Sequence, residues 1–132
     1  MAKYAYPAVF TEEDEGRFSV LFPDLEGCYT CGDNLANAIY MAEDVLAFTL
    51  YDYEKRKANI PEPSDIVKME HKKNEFTSYI LCDTIEYHKK NNSKAIKKTL
   101  TIPEYLNELA IAANLNFSQI LQDALKSKLG IA

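Results

Sequence analysis

KAIKKTLTIPEYL, residues 94–106, sets an alternating, lysine-studded run directly before a proline and a helix start. Alternation at period two is the mark of a strand, and Pro103 is tolerated in the first turn of a helix, with Thr101 or Ile102 flanking it as the cap. No neighbouring segment offers this strand a partner. Leu106, Leu109, Ala110 and Ala113 then share one helical face, and NLNFSQ, residues 114–119, breaks that helix. Asn116 followed three residues later by Gln119 matches a capping box for a second helix. Ile120, Leu121, Ala124, Leu125 and Leu129 line its inner face, and Gly130 ends it.

A strand–helix–helix unit of this size is too small for one hydrophobic core to hold, and it has no cysteine to staple it. Its strand would expose a row of backbone donors and acceptors. Both problems vanish when two copies associate, the strands pairing antiparallel and four helices closing over a shared core. An obligate homodimer is therefore expected. Alternation points Ile96, Leu100 and Ile102 into the dimer core, with Lys98 the odd member of that row, and turns Lys97, Thr99 and Thr101 outward. A two-stranded ribbon fits the major groove of DNA, where lysine and threonine reach base edges. The backbone N–H groups of Phe117 and Ser118, starting the second helix, are placed to hold a phosphate.

Upstream, KYAYPAVF (3–10) and RFSVLF (17–22) flank TEEDEG and predict a hairpin. PDLEG turns the chain, and CYTC (28–31) supplies a short third strand. Asp33 is the expected cap of a helix running to about Lys57, with Leu35, Ile39, Ala42, Leu46 and Tyr53 as its apolar stripe and Ala38, Val45 and Leu50 widening it. Two prolines in NIPEPSD stop it. EFTSYILCD (75–83) predicts a fourth strand, completing an α+β unit of order β-β-β-α-β. EYHKKNNSK (86–94) is polar and without periodicity, the best linker candidate. The predicted organisation is residues 1–87 as one domain, 88–95 as linker and 96–132 as the second domain.

The 132 residues are 47% apolar, ordinary for a folded protein. No apolar run approaches the roughly 18 residues of a membrane span, and the N-terminus lacks a signal-peptide pattern. Three cysteines fit a reducing compartment. A cytoplasmic protein is expected. The net charge of −5 is unevenly spread. Residues 1–88 hold 8 lysines and arginines against 17 acids, or −9, and residues 89–132 hold 7 lysines against 3 acids, or +4. Such a split suggests different partners for the two halves.

The pattern KKTLTIPEYLNELAIAANLNFSQILQDALKSKL resembles the ribbon-helix-helix DNA-binding proteins. More narrowly, IPEYLNELA and NFSQILQDALK, with YPAVF, VLFPDLEGCYTCGDNLANAIYMAEDVL and YILCD upstream, resemble the HicB antitoxins of type II toxin–antitoxin systems over nearly the whole chain. The resemblance implies a first domain similar to a truncated ribonuclease-H-like sheet without an active site. It implies neutralisation of a HicA-type toxin, a small ribonuclease that cuts mRNA. It also implies repression of the protein's own operon through the C-terminal dimer, and leaves open whether that dimer assembles further with the toxin. By position, Lys97, Thr99 and Thr101 would read operator bases, and Asn116, Phe117 and Ser118 would anchor phosphate. Pro23, Asp24 and Leu25 are the candidate toxin contacts, although a turn-capping role for Asp24 is the structural alternative. The DNA-binding half has no arginine, so bidentate guanine reading falls to lysine. The other functional reading is a stand-alone ribbon-helix-helix repressor whose first domain senses a ligand.

Three motifs are set aside. Cys28 and Cys31 have metal and redox spacing, but residues three apart on a strand face opposite sides, and His71, His88 and Cys82 are scattered. Glu12 to Glu15 splay at a hairpin tip and do not converge on a cation. Four glycines supply no phosphate-binding loop. No metal, cofactor or catalytic residue is expected, and the chain reads as a binding protein rather than an enzyme.

Overall fold

A computed structural model describes residues 2–132 and shows two compact units divided between Lys94 and Ala95. The first unit contains β1 (Lys3–Glu12), β2 (Phe18–Leu21), β3 (Tyr29–Gly32), α1 (Leu35–Arg56), β4 (Glu75–Asp83) and α2 (Thr84–Asn91). Its sheet has the order β3-β2-β1-β4, antiparallel throughout. β1 pairs with β4 from Lys3↔Asp83 to Thr11↔Glu75. The second unit contains α3 (Glu104–Ala112) and α4 (Phe117–Leu129). Among the described residues no helix is long and apolar enough to cross a membrane.

One face of the sheet and one face of α1 make the core. Tyr6, Ala8 and Phe10 of β1, Val20 of β2 and Ile80 of β4 pack against Ala38, Ala42, Leu46 and Leu50, all buried. Phe10 stacks on Phe76 at 4.9 Å. Phe22, Leu25 and Cys28 close the end of this core from the turn between β2 and β3. Period-two alternation in the strands and period-3.6 recurrence in the helix meet in one apolar layer.

The helix stripe departs from the expected one at its start, while the expected Ala42 and Leu46, with Ala38 and Leu50, are buried. Leu35 and Ile39 are exposed, at 44% and 37%, while Ala38 and Ala42 are buried. The reason lies at Gly32, where a Cβ would overlap the backbone N of Ala38 and lie 2.5 Å from its Cα. The first turn of α1 rests against bare backbone of β3, which turns the alanine row inward and moves Leu35 and Ile39 toward β4.

Its cap also lies one residue later than expected. Asn34, not Asp33, caps α1: its Oδ1 accepts from Asn37 N–H at 2.8 Å, and Asn37 Oδ1 accepts from Asp33 N–H at 3.0 Å. Asp33 lies outside the helix, contributing its backbone to this reciprocal pair.

The expected linker begins too early, because residues 84–91 form α2. Asp83 caps this helix, its Oδ1 accepting from Ile85 N–H at 2.9 Å and from Glu86 N–H at 3.4 Å. Tyr87 packs against Tyr51 and Phe48 of α1, and His88 lies over Tyr51 at 5.1 Å. Two aromatic anchors suffice for eight residues, too few to show a period. Charge counted at the observed division is −6 for residues 1–94 and +1 for 95–132, since Lys89, Lys90 and Lys94 belong with the acidic unit. The apparent basic character of the C-terminal half was largely that of α2.

Buried Thr84 joins the start of α2 to the residue before β1 and to the last turns of α1. Ala2 N–H donates to its Oγ1 at 2.8 Å, and that hydroxyl is 3.2 Å from the Glu54 carboxylate. The Tyr4 hydroxyl donates to the same carboxylate at 2.7 Å. Burial and then this bond push Tyr4 up to about 12. An unfolded tyrosine ionises near 10. The contribution to stability is therefore complete below about pH 10 and is lost as pH rises towards 12. A phenolate difference titration of the protein against Tyr4→Phe should isolate one tyrosine ionising near 12. A Tyr4 step near 10 would refute the assignment.

Candidate functional site

The second unit lacks a core of its own. No residue from Ala95 to Ala132 is buried. Leu106, Leu109, Ile120, Leu125 and Leu129 of α3 and α4 are 46% to 70% exposed. Residues 93–103 carry no regular secondary structure in the single chain. Along them, Ile96, Leu100 and Ile102 are 85%, 56% and 48% exposed. So large an apolar surface on so short a unit is characteristic of an interface rather than a solvated face. Lys97, Thr99 and Thr101 lie in the same extended stretch, also exposed.

Local signals set the two helices. Pro103 itself occupies the N-cap of α3, with ψ 142°, and neither Thr101 nor Ile102 serves as the cap. Proline has no N–H to satisfy there, and Glu104 follows in the first turn. Asn114 takes the left-handed conformation, φ 61°, at the break between helices. Asn116 caps α4, its Oδ1 accepting from Gln119 N–H at 3.0 Å. The capping box closes in one direction only, because the Gln119 amide donates forward to Asp123 at 2.9 Å. The N–H groups of Phe117 and Ser118 belong to the first helical turn, whose donors have no intrahelical acceptor. Phe117 is 44% exposed. Gly130 ends the helix at φ 70°, with Lys126 and Lys128 in the last turn.

The candidate toxin contacts separate. Pro23 is exposed, but Leu25 is 1% exposed and belongs to the core, which corrects its assignment to a contact surface. Asp24 accepts from Ser64 N–H at 2.8 Å and from its hydroxyl at 2.5 Å, holding the segment after α1 against the turn. The capping alternative describes Asp24 better. A residue pattern of Phe-Pro-Asp-Leu reveals a turn but not which of its side chains is withdrawn.

The thiols stand apart: Cys28 is buried beside Thr49, and Cys31 is exposed. Burial pushes the Cys28 and Cys82 thiols up, Cys82 to about 12, opposite to what a reactive thiolate needs. Glu13 accepts from Ser19 Oγ at 2.9 Å within a solvated turn. Among the described residues no three His, Cys, Asp or Glu side chains gather as a metal site.

What the sequence did not reveal is an open flank of the sheet. β4 is an edge strand, and the groove between it and α1 is lined by Leu35, Ile39, Phe76, Tyr79 and Leu81. Its signal was the pair Leu35 and Ile39, apolar residues that fit the helical period but lie outside the buried row.

A small antiparallel sheet with one covering helix, joined to a helical unit that leaves its apolar face open, defines a binding protein of two modules. The chain belongs to the HicB-like antitoxins of bacterial toxin–antitoxin systems, whose family model matches residues 6–124. This is a family of antitoxins, not of enzymes. Antitoxin HicB 2 of Photorhabdus laumondii is 39% identical over 59 residues, 45% of this chain. The match spans only 42% of that relative's length. The fold is similar to that of a chain in a toxin–antitoxin complex from Streptococcus pneumoniae, at 32% identity and TM-score 0.63, covering 96% of this chain and 99% of that one. It is also similar to the antitoxin HicB of Burkholderia pseudomallei, at 15% identity and TM-score 0.53, over 92% and 96% of the two chains.

Proposed function

We propose that this chain neutralises a HicA-type ribonuclease toxin through its first unit and, as a dimer of its second, binds operator DNA and represses its own operon. The observation that carries the reading is the second unit's lack of any buried residue, with Ile96, Leu100 and Ile102 at the head of its open apolar surface. Pairing two copies of residues 96–102 gives every strand a partner and leaves Lys97, Thr99 and Thr101 on the outer face of a ribbon. Asn116, Phe117 and Ser118 then anchor a phosphate at the start of α4. The sheet order β3-β2-β1-β4 with α1 on one face supports reading the first unit as a truncated ribonuclease-H-like sheet. Its net charge of −6 favours a basic partner, and Pro23 is the part of the turn at 23–25 available to one. The relative in the Streptococcus pneumoniae complex supports the toxin as that partner.

Base contacts are worth about 1–3 kcal/mol each, and the dimer repeats each substitution twice. Lys97→Ala and Thr99→Ala should weaken operator binding by at least tenfold, measured by DNA retention at fixed salt, with toxin neutralisation unchanged. Truncation after Lys94, which keeps α2 whole, should abolish operator binding and leave neutralisation. Loss of neutralisation in the folded point variants would contradict this division between units.

A further inference from the structure

Nine residues of β4 form a sheet edge with no proline and charges only at its two ends, Glu75 and Asp83. Such an edge is a template for another strand unless something covers or blunts it. Beside it run two adjoining depressions of about 250 and 380 Å³, which share Glu43 and Leu81. On the side of α1 the floor is apolar, with Leu35 44%, Ile39 37% and Phe76 38% exposed. The rim is acidic: Glu43, Asp44, Asp83 and Glu86 outnumber Lys90, which lies over the Tyr40 ring at 5.9 Å, and Lys89, which pairs with Glu86 at 3.2 Å.

We propose that an extended, basic segment of the toxin adds as a strand to β4 and sets alternate apolar side chains into this groove. The inference rests on the antitoxin reading above and names the surface it uses. Charge selects the occupant. Four carboxylates against two lysines favour lysines and arginines on the incoming strand. They also disfavour a second copy of this chain. Antiparallel self-pairing of β4 about Tyr79 sets Glu75 opposite Asp83 at both ends, and like charges directly opposite are destabilising. Main-chain bonds supply affinity in such strand addition, and the pockets for alternate side chains supply specificity.

The test co-expresses this protein with the small protein encoded next to its gene and measures binding of the purified pair. Ile39→Arg, Leu35→Arg and Glu43→Arg should each weaken binding at least tenfold, with melting and operator retention unchanged. Cys31→Arg, at an exposed residue of β3, the opposite edge of the sheet, should bind as the unaltered protein does. Normal binding by all three folded groove variants overturns the groove and leaves the antitoxin reading standing. Failure of the unaltered protein to bind its neighbour removes both. If the variants bind normally but lose self-association, the occupant is a second copy and the inference is wrong.

Discussion

Leu100→Asp should yield single subunits at micromolar concentration, where the unaltered protein should sediment as the proposed dimer. Leu100 sits mid-way along the extended stretch and is 56% exposed in the single chain. Pairing two such stretches brings Leu100 of both copies into one core. Removing a buried leucine costs about 2–5 kcal/mol, and a two-fold interface incurs the loss twice. Burying two unpaired carboxylates costs more again. Weakening of at least a thousandfold follows, which sedimentation velocity reads directly. Operator binding should vanish with the dimer, because neither chain alone presents a two-stranded ribbon. The first unit should melt unchanged, since it has its own core of Tyr6, Phe10, Phe22 and Leu46. A dimer that survives this substitution would mean that residues 96–102 are not its seam.

Gly32→Ala should be the most damaging single methyl in the first unit. Its added Cβ would meet the backbone N and Cα of Ala38, not a movable side-chain tip. Overpacking typically costs about 1–3 kcal/mol, and contact with fixed backbone places this case at or above the top of that range. For a domain of this size the melting temperature should fall by about 15 °C or more. Ala38→Gly should not restore it, since the principal overlap is with main chain. Gly27→Ala makes a useful contrast: at φ 71° with open space around it, it should lose only about 1–2 kcal/mol. Equal melting of Gly32→Ala and the unaltered protein would show that α1 does not rest on β3 as described.

Signals confined to a few neighbouring residues were readable without coordinates. EFTSYILCD gave the bounds of β4, Asn116 and Gly130 the ends of α4, and the short Pro103-led unit its lack of a buried core. Each rests on short-range physics: a cap bonds within three residues, alternation sets the two faces of a strand, and a short chain buries little surface whatever its fold. The HicB resemblance was legible for the same reason, as a series of local patterns spread over both halves.

Tertiary structure decided what depends on the facing surface. Leu35 and Ala38 both fit the helical period, and the bare backbone at Gly32 selected Ala38 for the core. Residues 84–91 are helical because Tyr87 found Tyr51 and Phe48, residues distant in sequence. Leu25 went inward, so the turn lost one of its three proposed contacts, and Asp24 bound Ser64, forty residues on. Periodicity says that a helix has an apolar side; only the shape of the sheet beneath it says which residues that side loses to the open groove.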